Sequence, residues 1–124
     1  MAVTPIQNPV VYDIELYQGS EFQRTFVYKE GDPQAAVNLT GWLARASARA
    51  SFDTPIVLNF DVTVTPLTST VFVTADAVTL SALDTYSGVW DLELFPDPNV
   101  AGGDERKAFR LVMGKFTTIR EVTR

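Results

Sequence analysis

Two acidic residues have the type and spacing that hydrolytic chemistry would use. Asp91 and Glu93 stand two residues apart in a run that alternates polar and apolar side chains, which places both carboxyls on one face of a strand. Two carboxyls that flank a scissile bond are the acid and base of glycoside hydrolysis. The same positions are also the wet face of any half-buried strand, where Lys107 or Arg110 on a neighbouring strand is placed to pair with them. Because no further catalytic motif accompanies the pair, we interpret it as surface charge and predict no catalytic residues.

The chain contains neither cysteine nor histidine. This composition excludes disulfides, thiolate nucleophiles, Cys/His zinc sites and the Ser–His and Cys–His dyads. We therefore expect a protein that is not an enzyme and that carries no cofactor.

The segment 96–105 holds hard oxygen ligands on a loop that also contains two glycines, which is the donor chemistry that calcium prefers. These ligands are Asp97, Asn99, Asp104 and Glu105. Their spacing does not match the EF-hand loop, so we interpret the segment as a solvated hairpin tip and predict no metal site.

Aromatic residues offer a different chemistry, the binding of glycans. Trp42 and Trp90 fall on the apolar sides of their strands and are expected in the core. Tyr86 and Phe95 remain as the candidate contacts of a carbohydrate-binding module.

Charge is zoned along the second half of the chain. The acidic zone comprises Asp84, Asp91, Glu93, Asp97, Asp104 and Glu105, and the basic zone, interrupted only by Glu121, comprises Arg106, Lys107, Arg110, Lys115, Arg120 and Arg124. Adjacent strands should then carry opposite signs. Two interpretations stay open: ion pairs within the chain, which are worth little when exposed, or a polar rim that steers a neighbouring subunit.

The overall composition excludes several kinds of partner. Fifteen acidic and ten basic residues give a net charge of −5, the wrong sign for binding phosphate backbones, so nucleic acid is not an expected ligand. The longest uncharged stretch, residues 62–75, is rich in Thr and Ser and too short to span a bilayer, so no membrane association is expected. The first five residues lack the basic and apolar segments of a cleavable signal.

Periodicity indicates mostly strands. Fifteen valines and fourteen threonines favour extended structure, and period-2 alternation predicts strands at 10–16, 22–28, 42–51, 56–65, 70–73, 88–95, 107–113 and 116–122. Phe109, Leu111 and Met113 are expected on one face, as the antiparallel partner of the face that carries Trp90, Leu92 and Leu94. Arg24 falls on the apolar face of its strand, which predicts a bulge, a strand edge or a snorkelling side chain. Residues 29–34 predict a surface turn, and residues 75–83 a short helix with Thr74 as its cap and Asp76 in its first turn.

These elements predict an all-β fold, an antiparallel immunoglobulin-like β-sandwich with one short helix. The alanines at 44, 46, 48 and 50 share one face of their strand and should let an opposing sheet approach closely, and Arg45 and Arg49 share the other face. Residues 1–124 are expected to form a single domain, with residues 1–9 a flexible arm or one that a partner orders.

Four short segments carry a resemblance to a known family. They are YQGSEF at 17–22, NLTGW at 38–42 followed by AR at 44–45, GVWDLE at 88–93, and EVTR at 121–124. In this order and spacing they resemble small virion proteins of tailed bacteriophages, and in particular the immunoglobulin-like N-terminal domain of phage baseplate upper proteins. The similarity runs from about residue 12 to the C-terminus.

The resemblance implies a non-enzymatic structural component of the virion, located in the tail, baseplate or fibre-attachment region. It also implies a symmetric homo-oligomer that contacts other virion proteins and is assembled in the host cytoplasm. A capsid decoration protein and a carbohydrate- or receptor-binding module are the alternatives, since one fold serves many functions.

Overall fold

The computed structural model describes residues 10–30, 35–36, 38–100, 103 and 108–120. Within these ranges the strands are β1 (Val10–Val11), β2 (Ile14–Tyr17), β3 (Phe22–Val27), β4 (Lys29–Glu30), β5 (Ala35–Ala36), β6 (Trp42–Arg49), β7 (Ile56–Asn59), β8 (Asp61–Thr65), β9 (Thr70–Ala75), β10 (Ser87–Pro96) and β11 (Phe109–Ile119). One helix, α1 (Ala77–Ser81), and one 3-10 turn (Pro66–Thr68) complete them. No helix of the described ranges is both long and apolar enough to cross a membrane.

The strands form two stacked sheets and a small ribbon. The larger sheet has the order β1-β11-β10-β6-β7, with β2 also paired to β11, and the smaller sheet has the order β3-β9-β8. All pairings are antiparallel except those of β1 and β2 with β11, which are parallel. The fold is therefore the all-β immunoglobulin-like sandwich with one short helix that the alternation predicted.

Small and large side chains alternate across the strand pairs that line the core. Trp90, Leu92 and Leu94 on β10 lie opposite Ala48, Ala46 and Ala44 on β6, and all but the half-buried Ala44 are buried. The opposing wall comes from buried residues of β9, Val71 and Val73. The alanines leave room beside the large ring and the leucines, so the inward face is confirmed for Ala44, Ala46 and Ala48. It was wrong for Ala50, which is exposed beyond the end of β6.

The segment 56–65, predicted as one strand, is two strands in different sheets. β7 pairs with β6 in the larger sheet, whereas β8 pairs with β9 in the smaller one. The change occurs at Phe60, whose amide donates to the carbonyl of Ala46 at 3.0 Å and whose ring is buried against Trp90. Alternation continues through the crossing because Leu58 and Phe60 both point into the core that the two sheets share.

The predicted strand at 10–16 is likewise broken, at Tyr12 and Asp13. The Tyr12 amide donates to the Met113 carbonyl at 2.8 Å, and the Asp13 carboxylate accepts from the Lys115 amide at 2.9 Å. Here the chain passes so close over β11 that a Cβ on Gly114 would overlap the Tyr12 carbonyl. The carboxylate of Asp13 thus replaces a backbone acceptor where the ladder is interrupted.

β11 joins the two strands that were predicted separately at 107–113 and 116–122. A bulge opposite Leu92 and Glu93 leaves Leu111 as an extra residue, since Leu92 pairs with Val112 and Glu93 with Arg110. The predicted inward face of Phe109 and Leu111 is confirmed. Met113 was placed on that face wrongly, because the bulge turns it outward beside the paired Asp91.

The helix is shorter than predicted and has a different cap. Thr74 belongs to β9, and Asp76 is the N-cap, its carboxylate accepting from the Thr79 amide at 2.7 Å. Within the predicted turn, Lys29 and Glu30 form β4, which pairs with β5, and residues 31–34 lie outside the described residues.

Arg24 lies on an edge strand and snorkels, as two of the three alternatives predicted. β3 pairs only with β9 and its register is unbroken, so there is no bulge among the described residues of this strand. The Arg24 guanidinium lies 5.0 Å from the Phe22 ring centroid and its Nε donates to the Tyr12 hydroxyl at 3.2 Å.

Candidate functional site

The outer face of the larger sheet gathers charged side chains from three adjacent strands. β6 contributes Arg45 and Arg49, β10 contributes Asp91 and Glu93, and β11 contributes Arg110. Glu93 stands directly opposite Arg45 on one side and Arg110 on the other, because β10 lies between the two basic strands. Side chains at paired positions are close enough to interact, so the sequence zones of charge meet on this face.

Both candidate catalytic carboxylates are engaged by arginines. Arg45 Nη2 lies 2.6 Å from Glu93 Oε1, and Arg110 Nε lies 3.1 Å from Asp91 Oδ2. The predicted cross-strand pairing of Arg110 is confirmed, whereas the partnership of Arg45 was not anticipated and Lys107 lies outside the described residues. The ion-pair interpretation of the charge zoning is therefore realised by the Asp91–Arg110 pair, whereas Arg45 lies outside the basic zone.

Asp91 is a partly buried carboxylate, with 33% of its side chain exposed. Burial raises the pKa of the Asp91 carboxyl above its ordinary value, although the Arg110 guanidinium opposes part of that rise. An acid with a raised pKa beside a second carboxylate is what glycosidases employ. In this arrangement each carboxylate accepts a hydrogen bond from an arginine on a neighbouring strand.

A shallow depression of about 610 Å³ opens beside these ion pairs. Besides the charged residues, it is lined by Ala46, Ser47, Phe52, Ile56 and Asn59. The depression is bounded on one side by the turn between β6 and β7, in which the Thr54 amide donates to the Ser51 carbonyl at 3.3 Å. We call this surface the arginine depression.

Arg49 and Phe52 define the end of the arginine depression next to that turn. Arg49 Nη1 donates to the Thr54 carbonyl at 2.6 Å, which ties the half-buried guanidinium to the turn. Phe52 stands at the turn with 64% of its surface exposed. Sequence reasoning placed Arg45 and Arg49 on a common face correctly but missed Phe52, whose signal was an apolar ring within a polar turn.

Tyr86 and Phe95, the predicted glycan contacts, do not form one platform. They lie near opposite ends of β10, about 30 Å apart at the rise of an extended strand. Arg120 Cζ lies 4.4 Å from the centroid of the Tyr86 ring and Arg45 Cζ lies 4.6 Å from that of Phe95. One face of each ring therefore already carries a cation.

The candidate metal ligands are only partly within the described residues. The Asp97 carboxylate accepts from the Asn99 amide at 2.9 Å in a local turn, and Asp104 and Glu105 lie outside the described ranges. Among the residues that the structure describes, no three acidic side chains are grouped so that they could hold a metal ion.

The outer face of the smaller sheet has the opposite character. Three rows of paired residues cross β3, β9 and β8, and they consist of Gln23, Thr74 and Asp61, then Thr25, Phe72 and Thr63, then Val27, Thr70 and Thr65. Of these nine described positions only Asp61 carries a charge, and the central ring, Phe72, is 37% exposed. We call this surface the threonine face.

Neither a protein-family model nor a curated protein matches the chain. Its function is accordingly inferred from these two surfaces, one charged and indented and the other nearly uncharged.

Proposed function

We propose that the chain is a non-enzymatic structural component of a tailed-bacteriophage virion, in the tail, baseplate or fibre-attachment region. The observation that carries this proposal is the threonine face. A chain of net charge −5 repels its own copies, and this face can meet another protein while burying almost no charge.

The edges beside the threonine face extend the surface available for assembly. β3 and β8 are the outer strands of the smaller sheet, so each presents a row of backbone groups that pair with no further strand of the described ranges. The face alone covers about 240 Å² at ordinary strand spacings. This is well below the roughly 800 Å² per partner of a stable interface, so the contact must include these edges and be repeated by symmetry.

The engagement of Asp91 and Glu93 by arginines supports a role without catalysis. Each carboxylate that a hydrolase would need is paired with a cation on the same sheet. Replacing both carboxylates with amides should therefore change the stability and the surface charge of the protein. Any glycoside hydrolysis found in a preparation of the protein should survive this double replacement.

Two measurements test the virion proposal. Mass spectrometry and electron cryo-microscopy of particles from the phage that encodes the chain should find it in several symmetric copies in the tail. Light scattering of the isolated protein at increasing concentration should show association. A strict monomer that is never found in particles would overturn the proposal, and density on the capsid shell would favour a decoration protein instead.

Variants identify the surface that is used. Thr63→Glu and Phe72→Glu place a charge on the threonine face, whereas Val78→Glu places one on α1, where Val78 is 82% exposed. We expect the two face variants, once circular dichroism shows that they fold, to lose at least about tenfold in incorporation or self-association. The control variant should retain both incorporation and self-association. Equal behaviour of all three variants would rule out the threonine face as the contact surface.

A further inference from the structure

We propose that the arginine depression binds a sugar that carries one carboxylate, of the uronic or sialic acid class. This inference does not depend on the virion proposal, since it concerns the opposite face of the sandwich. It rests on three features of the depression: an arginine with donors to spare, an exposed ring, and a local charge that matches a single anion.

The anion partner is Arg49. Arg45 and Arg110 each form an ion pair, but no carboxylate of the described residues lies within 4.0 Å of the Arg49 side-chain nitrogens. The Thr54 carbonyl takes one of the guanidinium N–H groups and fixes the orientation of the side chain. The remaining donors form a planar fork that suits the two oxygens of a carboxylate, and its half-buried position strengthens such a contact.

The sugar ring has a partner of its own in Phe52. This side chain lines the same depression as Arg49. It is 64% exposed, which is more than Tyr86 or Phe72. A flat apolar ring at the rim of a polar depression is suited to the C–H face of a pyranose. Ser47 and Asn59 also line the depression, where a hydroxyl and an amide can exchange hydrogen bonds with sugar hydroxyls.

The charge of the depression selects among anions. Three arginines face two carboxylates, which leaves a single positive charge for the ligand to neutralise. Asp91 and Glu93 accept hydroxyl hydrogens of a sugar but repel a second negative charge, so an acidic peptide or a polyphosphate is disfavoured. The volume of about 610 Å³ falls within the range of small-molecule sites and accommodates a short saccharide.

Titration with defined saccharides tests the proposal. The probes are sialyllactose and a disaccharide containing glucuronate, with lactose as the neutral control and oligoglutamate as the acidic peptide, each followed by calorimetry and by amide chemical shifts. We expect saturable binding of at least one acidic sugar that weakens with added salt, and none of lactose. The proposal would be overturned if lactose bound equally well or if oligoglutamate bound more tightly. It would also be overturned if neither acidic sugar bound at 10 mM, about the weakest affinity that such a titration resolves.

Variants then locate the site. Arg49→Ala and Phe52→Ala should each weaken the acidic sugar by at least about tenfold, and Arg49→Lys should retain part of the affinity because it keeps the charge without the fork. The matched controls are Lys115→Ala and Leu67→Ala, an exposed cation and an exposed apolar residue outside the depression. Unchanged affinity in folded Arg49→Ala would refute the assignment, whatever the outcome of the particle experiments.

Discussion

Replacing Trp90 with phenylalanine should destabilise the sandwich more than its change in size suggests. The Trp90 ring is 2% exposed, and its Nε1 donates to the Tyr12 carbonyl at 2.8 Å. That carbonyl lies where the chain crosses from β1 to β2 over Gly114, outside the regular ladder. The indole therefore ties the crossing segment to the core of the larger sheet.

The expected cost has two parts. A phenylalanine has no N–H, so the part-buried Tyr12 carbonyl would lose its partner, at about 2 kcal/mol. The smaller ring also leaves space beside Phe26 and Phe60, whose ring centroids each lie 6.0 Å from that of Trp90, at about 1 kcal/mol. The free energy of unfolding should thus fall by about 3 kcal/mol, which lowers the urea midpoint by about 2 M for a small domain.

Equilibrium urea unfolding, followed by circular dichroism, measures this cost. The matched control is Trp42→Phe, because Trp42 is half-buried and packs edge-on against Phe109 at 5.6 Å. The control should lose about 1 kcal/mol. If Trp90→Phe cost no more than Trp42→Phe, the indole hydrogen bond would not be what secures the crossing segment.

Three further predictions concern single sites. Gly88→Ala should cost about 3 kcal/mol in urea unfolding because the added Cβ would overlap the Arg49 carbonyl, whereas Ser87→Ala should stay within about 0.5 kcal/mol. The hydrogen bond from the Thr79 amide lowers the pKa of Asp76 below its ordinary value of 3.8. Ionised Asp76 therefore stabilises the folded protein above pH 3.8, and this stabilisation is lost as the pH falls through the lower folded pKa. Asp76→Asn should remove that acid-induced loss in thermal melts, and an unchanged pH profile would contradict the cap. Burial raises the pKa of Asp91, so stability should fall as the pH rises from 3.8 through the folded pKa, and Asp91→Asn should remove that slope.

The fold class could be predicted because alternation reports directly on burial. In β10, Trp90, Leu92 and Leu94 are buried while the residues between them remain partly exposed, as the two-residue period requires. The alanines of β6 were placed inward by the same rule. Where a strand has one exposed and one buried side along its whole length, the sequence alone predicts which side chains face the core.

Alternation does not report which sheet a strand joins. Leu58 and Phe60 keep the two-residue period across the crossing from β7 to β8, because the core between the sheets accepts an inward residue from either side. Nothing local marks the crossing, since no glycine or proline stands between residues 56 and 65. The bulge at Leu111 escaped prediction for a related reason: an extra residue changes the face of Met113 only through its pairing with β10.

The arginine depression could not be predicted because its parts lie on different elements. Arg49 ends a strand and Phe52 stands in the following turn, where periodicity no longer specifies a direction. Their proximity arises because the Thr54 carbonyl holds the guanidinium and because β10 brings its carboxylates between two basic strands. The same carboxylates that suggested catalysis from the sequence neutralise two arginines in the fold and leave the third with donors for a ligand. Spacing along a strand identified the charged residues, but only the pairing between strands decides which charge remains available.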